Sequence, residues 1–462
     1  MNKILLKIIG KDSKDKTVIK NIIISFIIRF LALILALVKM PMYIKFFNND
    51  EVLGIWFTIL SILTWIFNFD LGIGNGLRNN LVKSIELKDK KGIRNYISSA
   101  YFSIFIVVIV IGIVGFISIP LVNWNNFFNT SIVSNVVFQK TMLIVVIGLL
   151  LQFFLKLINS IMYALQKSYM PGLYTLISET TLLIIIICLK SNMSINAKLP
   201  LMALLYGLCT CIPLLFANIV VFTTKLKEYK PSIRFFKKDT AKSILFIGGL
   251  FFWIQIMYMI IVNTNEYLIT WFVGPKYVVD YHIYNKLFSL IGTLFTLLLT
   301  PMWSMVTKAL VNKDYNWIEK LYKKLKIITL IAIICEFLLV PILQILINIW
   351  LKEDAIQVNY LYALLFATSG SLLIWNGVIS TIVNGMSKLK VQFITLTLGV
   401  VLNIPLAYLF CNIFNGWIGV VLANIISFIP YCTIQPFYLK KYLNEFKKCD
   451  IINEKRKGSD KK

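Results

Sequence analysis

The sequence predicts an all-α membrane protein of twelve transmembrane helices, arranged as two six-helix lobes related by a parallel internal repeat. Three observations carry that expectation. The 462 residues are 58% hydrophobic and only 15% charged, and the mean hydropathy is +0.79. Soluble domains sit nearer half apolar and a quarter charged. Twelve apolar stretches reach the roughly 20 residues that a bilayer-crossing helix needs. Finally, the basic residues fall in alternate gaps between those stretches. Too few polar residues remain to cover soluble surfaces, so a soluble enzyme, a disordered chain, a collagen and a disulfide-stapled module are all excluded.

The predicted spans run, in order, over 21–46, 52–77, 95–118, 141–166, 171–190, 199–224, 243–270, 278–301, 326–350, 356–383, 391–412 and 416–438. The narrowest joints lie near 167–171 and 413–416, where Pro171, Gly172 and Gly416 support breaks. The first 20 residues carry six lysines, and the apolar run behind them is too long for a cleaved signal peptide. It is read as the first span, retained in the mature chain. With the N-terminus placed inside, inner segments hold 37 Lys and Arg and outer segments six. A bias of that size fits twelve spans with both termini cytoplasmic.

Inner loops repeat at about half the chain length. Lys83-x4-Lys88-Asp89 follows span two, and Lys308-x4-Lys313-Asp314 follows span eight, 225 residues later. Ala164-Leu-Gln-Lys167 follows span four, and Gly385-Met-Ser-Lys388 follows span ten, 221 residues later. Parallel repeats are a transporter signature. The predicted organisation is a basic cytoplasmic tail (1–20), an N-terminal lobe (21–224), a cytoplasmic linker (225–242), a C-terminal lobe (243–438) and a second basic tail (439–462).

The net charge is +26. In a membrane protein, basic loops that fix orientation account for it better than nucleic acid, which is not expected as a partner. The seven cysteines lie mostly in apolar stretches without C-x-x-C spacing, and His282 is the single histidine. Neither a disulfide framework, a metal site nor a cofactor is expected. Gly72-Ile-Gly74-Asn-Gly76 lacks G-x-G-x-x-G spacing and closes an apolar helix, so it is not a phosphate loop. No loop is long enough for a catalytic domain, so the chain is expected not to be an enzyme. Energy must come from an ion gradient, the membrane potential or the substrate's own gradient.

Ionisable groups at bilayer depth cost at least ~2.5–3.5 kcal/mol and mark functional candidates. Arg29 lies eight residues into span one, about 12 Å deep, and is the first candidate for an anion-binding cavity. Lys39 sits nearer the outer end of the same span. Lys286 on span eight is an i+4 neighbour of His282. Glu266 on span seven and Lys286 are expected to pair, either as a permanent bridge or as a proton site that tunes the lysine. Asp280 starts span eight. Lys156 and Glu179 are expected to pair across spans four and five, and Glu336 on span nine has no evident partner. Deep cations in both lobes point to a cleft that accepts negative charge, for which phosphate is a natural ligand.

Two stretches carry a family resemblance. LLTPMWSMVTKALVNKDYNWIEKLYKKL (297–324) resembles the segment after span eight of Wzx-type oligosaccharide flippases, and FDLGIGNGLRN (69–79) resembles the segment that closes their span two. NEYLITWFVGPKYVVDYHIYNKL (265–287) and NGMSKLKVQ (384–392) are similar to further family stretches. These flippases form the polysaccharide branch of the multidrug/oligosaccharidyl-lipid/polysaccharide exporter superfamily. The resemblance implies two V-shaped, MATE-like lobes working by alternating access in the bacterial cytoplasmic membrane. It implies undecaprenyl-diphosphate-linked oligosaccharide as substrate, H+ or Na+ as coupling ion, and a polysaccharide polymerase or chain-length machinery as neighbours. Carried over, Arg29 matches a cavity arginine, Glu266 stands where relatives have Asp, and Asp70, Asn75 and Arg78 fall in the span-two motif, where Asp70 and Arg78 could pair. Substrate contact is thus expected from Arg29, Lys39, Lys286, Arg78 and Asn75. Ion coupling or charge tuning is expected from Glu266, Asp280, Asp70, Glu179 and Glu336. The rival expectations are a multidrug exporter of the same superfamily and a membrane polysaccharide polymerase or ligase.

Overall fold

The computed structural model describes residues 13–68, 72–128, 130–189, 193–274, 277–351 and 356–459. These form fifteen α-helices and three short 3-10 turns, with no strand among the described residues. In chain order the helices are α1 Ser13–Phe47, α2 Asp50–Asn68, α3 Ile73–Glu86, α4 Lys90–Ser118, α5 Trp124–Phe128, α6 Asn135–Ala164, α7 Met170–Cys188, α8 Ile195–Thr223, α9 Lys238–Asn263, α10 Asn265–Phe272, α11 Tyr277–Val311, α12 Tyr315–Leu351, α13 Tyr360–Met386, α14 Lys390–Ile413 and α15 Ile418–Ser459. Among the described residues, eleven helical segments are long and apolar enough to cross a membrane. They correspond in order to eleven of the twelve predicted spans. The other predicted span, 52–77, falls on α2 and α3, which flank residues 69–71, outside the described residues.

Predicted span seven (243–270) is two helices, α9 and α10, broken at Thr264. The break has a local cause. The Asn265 amide donates 3.1 Å to the Val262 carbonyl, a side-chain bond that competes with the helix ladder.

The predicted repeat recurs in the backbone. Lys88 (φ 55°) and Lys313 (φ 57°) both adopt the left-handed conformation at a helix end, as do Gln166 (φ 59°) and Ser387 (φ 55°). Around Lys88, its own N–H donates to Ile85 O and that of Asp89 donates to Ser84 O. Around Lys313, the same two bonds reach Leu310 O and Ala309 O. The following aspartates cap the next helix alike: Asp89 accepts from Gly92 N–H, and Asp314 from Trp317 N–H. Gln166 and Ser387 show the same pattern, their N–H groups bonding back to Tyr163 O and Asn384 O, with those of Lys167 and Lys388 reaching Met162 O and Val383 O. Loop residues that looked alike because they were basic therefore share a capping geometry that satisfies the last carbonyls of each helix.

The chain divides into two compact units, one of residues 20–249 and one of residues 250–459 with residues 13–19. In the N-terminal unit, Trp56, Phe138, Phe153, Leu182 and Met202 pack one apolar cluster, and Leu77, Ile97, Ile158, Leu214 and Ile244 pack another. The segment 225–237 is bound to α4: Arg94 donates to Glu228 O at 2.8 Å, and the hydroxyls of Ser98 and Ser99 accept from Ser232 and Lys237 N–H. The start of α9 belongs to this unit as well, because Gly248 meets Gly72 with no room between them. A Cβ on Gly72, already at φ +67°, would lie 1.7 Å from Gly248 O. The division falls inside α9, between Gly249 and Leu250. The C-terminal unit is centred on Tyr281, Tyr284, Phe288, Phe366, Leu343 and Trp417.

Candidate functional site

A cavity of about 310 Å3 lies inside the C-terminal unit. One wall is a face of α11, where Asn285, Ser289, Thr293 and Thr296 recur at three- to four-residue spacing and present their polar groups on one side. Tyr258, Phe288, Phe366 and Phe428 supply aromatic walls. Glu336 of α12 lines the cavity too, although it is 0% exposed. Neither of its carboxylate oxygens has a hydrogen-bond partner among the described residues. Gly370 of α13 makes the room it occupies, since a Cβ there would lie 2.9 Å from Glu336 Oε1. A carboxylate in that setting has to take up a proton, hold water or hold a cation, because a bare buried charge is prohibitive.

A buried amide chain adjoins the cavity, which Asn265, Tyr281 and Asn424 also line. Asn265 donates to Tyr281 Oη at 2.9 Å, Asn424 donates to Asn265 Oδ1 at 2.9 Å, and Asn403 donates to Asn424 Oδ1 at 2.8 Å and to Ser427 Oγ at 3.2 Å. Three elements (α10, α14 and α15) are tied by amides inside otherwise apolar packing. The sequence reading missed this chain. Its available signal was two asparagines, 403 and 424, in the middle of apolar spans.

The predicted ionisable residues are placed as follows. Glu336 lines the cavity, and Lys286 does not. Lys286 is exposed on α11 and makes no ion pair among the described residues. The expected Glu266–Lys286 pair is replaced by Glu266 with His282, whose Nε2 lies 3.2 Å from Glu266 Oε1, both more than half exposed. Asp280 is half-buried at the start of α11. The expected Lys156–Glu179 pair is likewise replaced: Glu179 on α7 receives Lys39 of α1. Helix order in sequence put α6 and α7 together, but side-chain facing brought α1 to the carboxylate. Arg29 is exposed on α1 with no ion pair among the described residues. Arg78 is 3% exposed, with its guanidinium carbon 4.5 Å above the Tyr163 ring. That burial and the stacking on Tyr163 hold α3 to α6. Asn75 is half-buried, and Asp70 lies outside the described residues.

A buried lysine and a lysine cluster complete the electrostatics of the N-terminal unit. Lys198, 4% exposed, donates to Phe47 O at 3.0 Å and so neutralises the C-terminal end of α1. In the loops, the Lys167 ammonium meets that of Lys225, with Lys20 nearby. Those neighbours and partial burial push Lys167 down to about 8.

Solved structures share this architecture. A crystal structure of MATE in complex with MaD3S superposes with a TM-score of 0.74 at 14% identity, covering 96% of this chain and 99% of the other. An outward-facing multidrug resistance MATE family transporter of the MOP superfamily matches at 0.71 and 17% identity, over 96% and 99%. The Vibrio cholerae MATE transporter VcmN in its bent form matches at 0.70 and 14%, over 93% and 99%. The chain has the fold of MATE transporters. No protein-family model matches the sequence, and no curated protein sequence does.

Proposed function

We propose that this chain is a transporter that carries undecaprenyl-diphosphate-linked oligosaccharide across the bacterial cytoplasmic membrane by alternating access, with both termini cytoplasmic. The solved examples of the fold are named as transporters, and the segments 69–79 and 297–324 resemble oligosaccharide flippases. The observation that carries the substrate class is Arg29. It stands eight residues into a span, exposed, with no carboxylate paired to it among the described residues. An unpaired guanidinium at that depth calls for an anionic ligand, and its planar donors fit phosphate oxygens. Lys286 provides a second cation, in the other unit, with no ion pair among the described residues. The test is flipping of a fluorescent undecaprenyl-diphosphate glycolipid by the purified chain in proteoliposomes. Arg29→Ala should abolish it while insertion is retained, and undiminished flipping by Arg29→Ala removes the residue from the site.

A second reading, multidrug export, is favoured by one feature. The cavity in the C-terminal unit joins a single carboxylate to aromatic walls, a setting that suits an organic cation. Efflux of such cations from vesicles, lost in Glu336→Gln and unaffected by Arg29→Ala, would select it. A polymerase or ligase is disfavoured because no extramembrane segment is long enough to hold a catalytic domain. Neighbouring polymerase or chain-length proteins and H+ or Na+ coupling belong to the flippase reading.

A further inference from the structure

The Lys39–Glu179 pair is open on one side. The two side chains are 20% and 26% exposed, so the ammonium can be reached without unpacking the helices. Lys198 on α8 shows the contrasting arrangement: it is buried and satisfied by a backbone carbonyl. Among the side chains electrostatically close to Glu179 are Tyr43 on α1 and Tyr206 and Cys209 on α8, none of them a cation at neutral pH. Lys39 is the cation paired with that carboxylate. On the same helix, Arg29 pairs with no carboxylate among the described residues. A phosphate ligand arriving at α1 would meet one free cation and one whose counter-ion is supplied by α7.

We propose that Glu179 is a resident counter-ion for Lys39 that an anionic phosphate ligand displaces, with Glu179 taking up a proton from water as it is released. The proposal rests on the phosphate-carrying reading above. The chemistry is an exchange of like bonds, N+–H···O− to carboxylate for N+–H···O− to phosphate. Before binding, the pair keeps a membrane-embedded ammonium neutralised, which lowers the cost of an empty site. After exchange, the carboxylate is left among phenols and a thiol, and protonation removes its charge. Anion entry and proton uptake are then linked at one residue.

The test is calorimetric binding of farnesyl diphosphate to the purified full chain in detergent micelles. It is run in two buffers of different ionisation enthalpy, so that protons taken up are counted. Wild type should bind with net proton uptake. Glu179→Gln, which removes the competing charge at constant shape, should bind about fivefold more tightly with that uptake lost and a flatter pH profile. Lys39→Met should cancel the gain when combined with Glu179→Gln. Tight binding by Glu179→Gln alone, with wild type silent, also supports the exchange. Equal affinity and equal proton uptake in wild type and Glu179→Gln would overturn the exchange and leave the substrate class standing. Absence of binding by both proteins would overturn the exchange and the substrate class together.

Discussion

Replacing Glu336 by leucine separates what the carboxylate does for transport from what it costs the fold. The side chain is fully buried, and both oxygens lack a hydrogen-bond partner among the described residues. Each buried unsatisfied polar group costs about 1–3 kcal/mol, so the pair of oxygens costs ~2–6 kcal/mol if nothing else satisfies them. Leucine is close in volume and fills the site with apolar surface. Its branch must clear Gly370, whose Cα side lies against the carboxylate, and that contact will take back part of the gain. A net stabilisation of about 1–3 kcal/mol is expected. Thermal unfolding of the purified protein in detergent, followed by intrinsic fluorescence, should show Glu336→Leu more stable than wild type. Transport in proteoliposomes should be lost, because a group kept at a cost to stability is kept for function. A lower unfolding temperature for Glu336→Leu would mean that the carboxylate is held by water or an ion in the 310 Å3 cavity, and the reasoning from unsatisfied oxygens would fall.

Other outcomes follow from particular contacts. Gly72→Ala combines a positive φ with a Cβ 1.7 Å from Gly248 O, so it should cost more than ~2 kcal/mol and appear as loss of monodisperse protein on size exclusion. Asn424→Leu strands Asn265 Oδ1 and one donor bond of Asn403, and should lower stability by about 2–4 kcal/mol in the same unfolding assay. Lys167 titrates near 8 in the fold against 10.5 for the free side chain. Between those values the unfolded chain binds the extra proton, so stability rises with pH across that window and is lower on its acid side. Lys167→Met should flatten the rise and raise the unfolding temperature at neutral pH; an unchanged pH profile would show that Lys167, Lys225 and Lys20 do not repel one another as placed.

Much of the architecture was legible from local features. A run of about twenty apolar residues with capped ends forms a helix whatever packs against it, and the Lys88/Lys313 and Gln166/Ser387 turns announced themselves by matching residues at matching intervals. Span seven was read as one helix because Asn263-Thr264-Asn265 interrupts hydropathy only slightly. The interruption shows when the Asn265 amide turns back to Val262 and joins Asn424 across the unit.

Which charges meet was beyond the sequence. Glu266 chose His282 and Glu179 chose Lys39 because pairing depends on the angle at which each helix presents a side chain and on which helix becomes its neighbour. Hydropathy spans leave both free: a shift of one residue turns a helical side chain by about 100°. Composition and spacing by themselves determined a multi-span helical protein with an internal repeat and a strongly basic set of loops. Tertiary packing alone decided that Arg78 is stacked on Tyr163, and that, among the described residues, Arg29 and Lys286 stay unpaired and Glu336 faces a cavity with no hydrogen-bond partner.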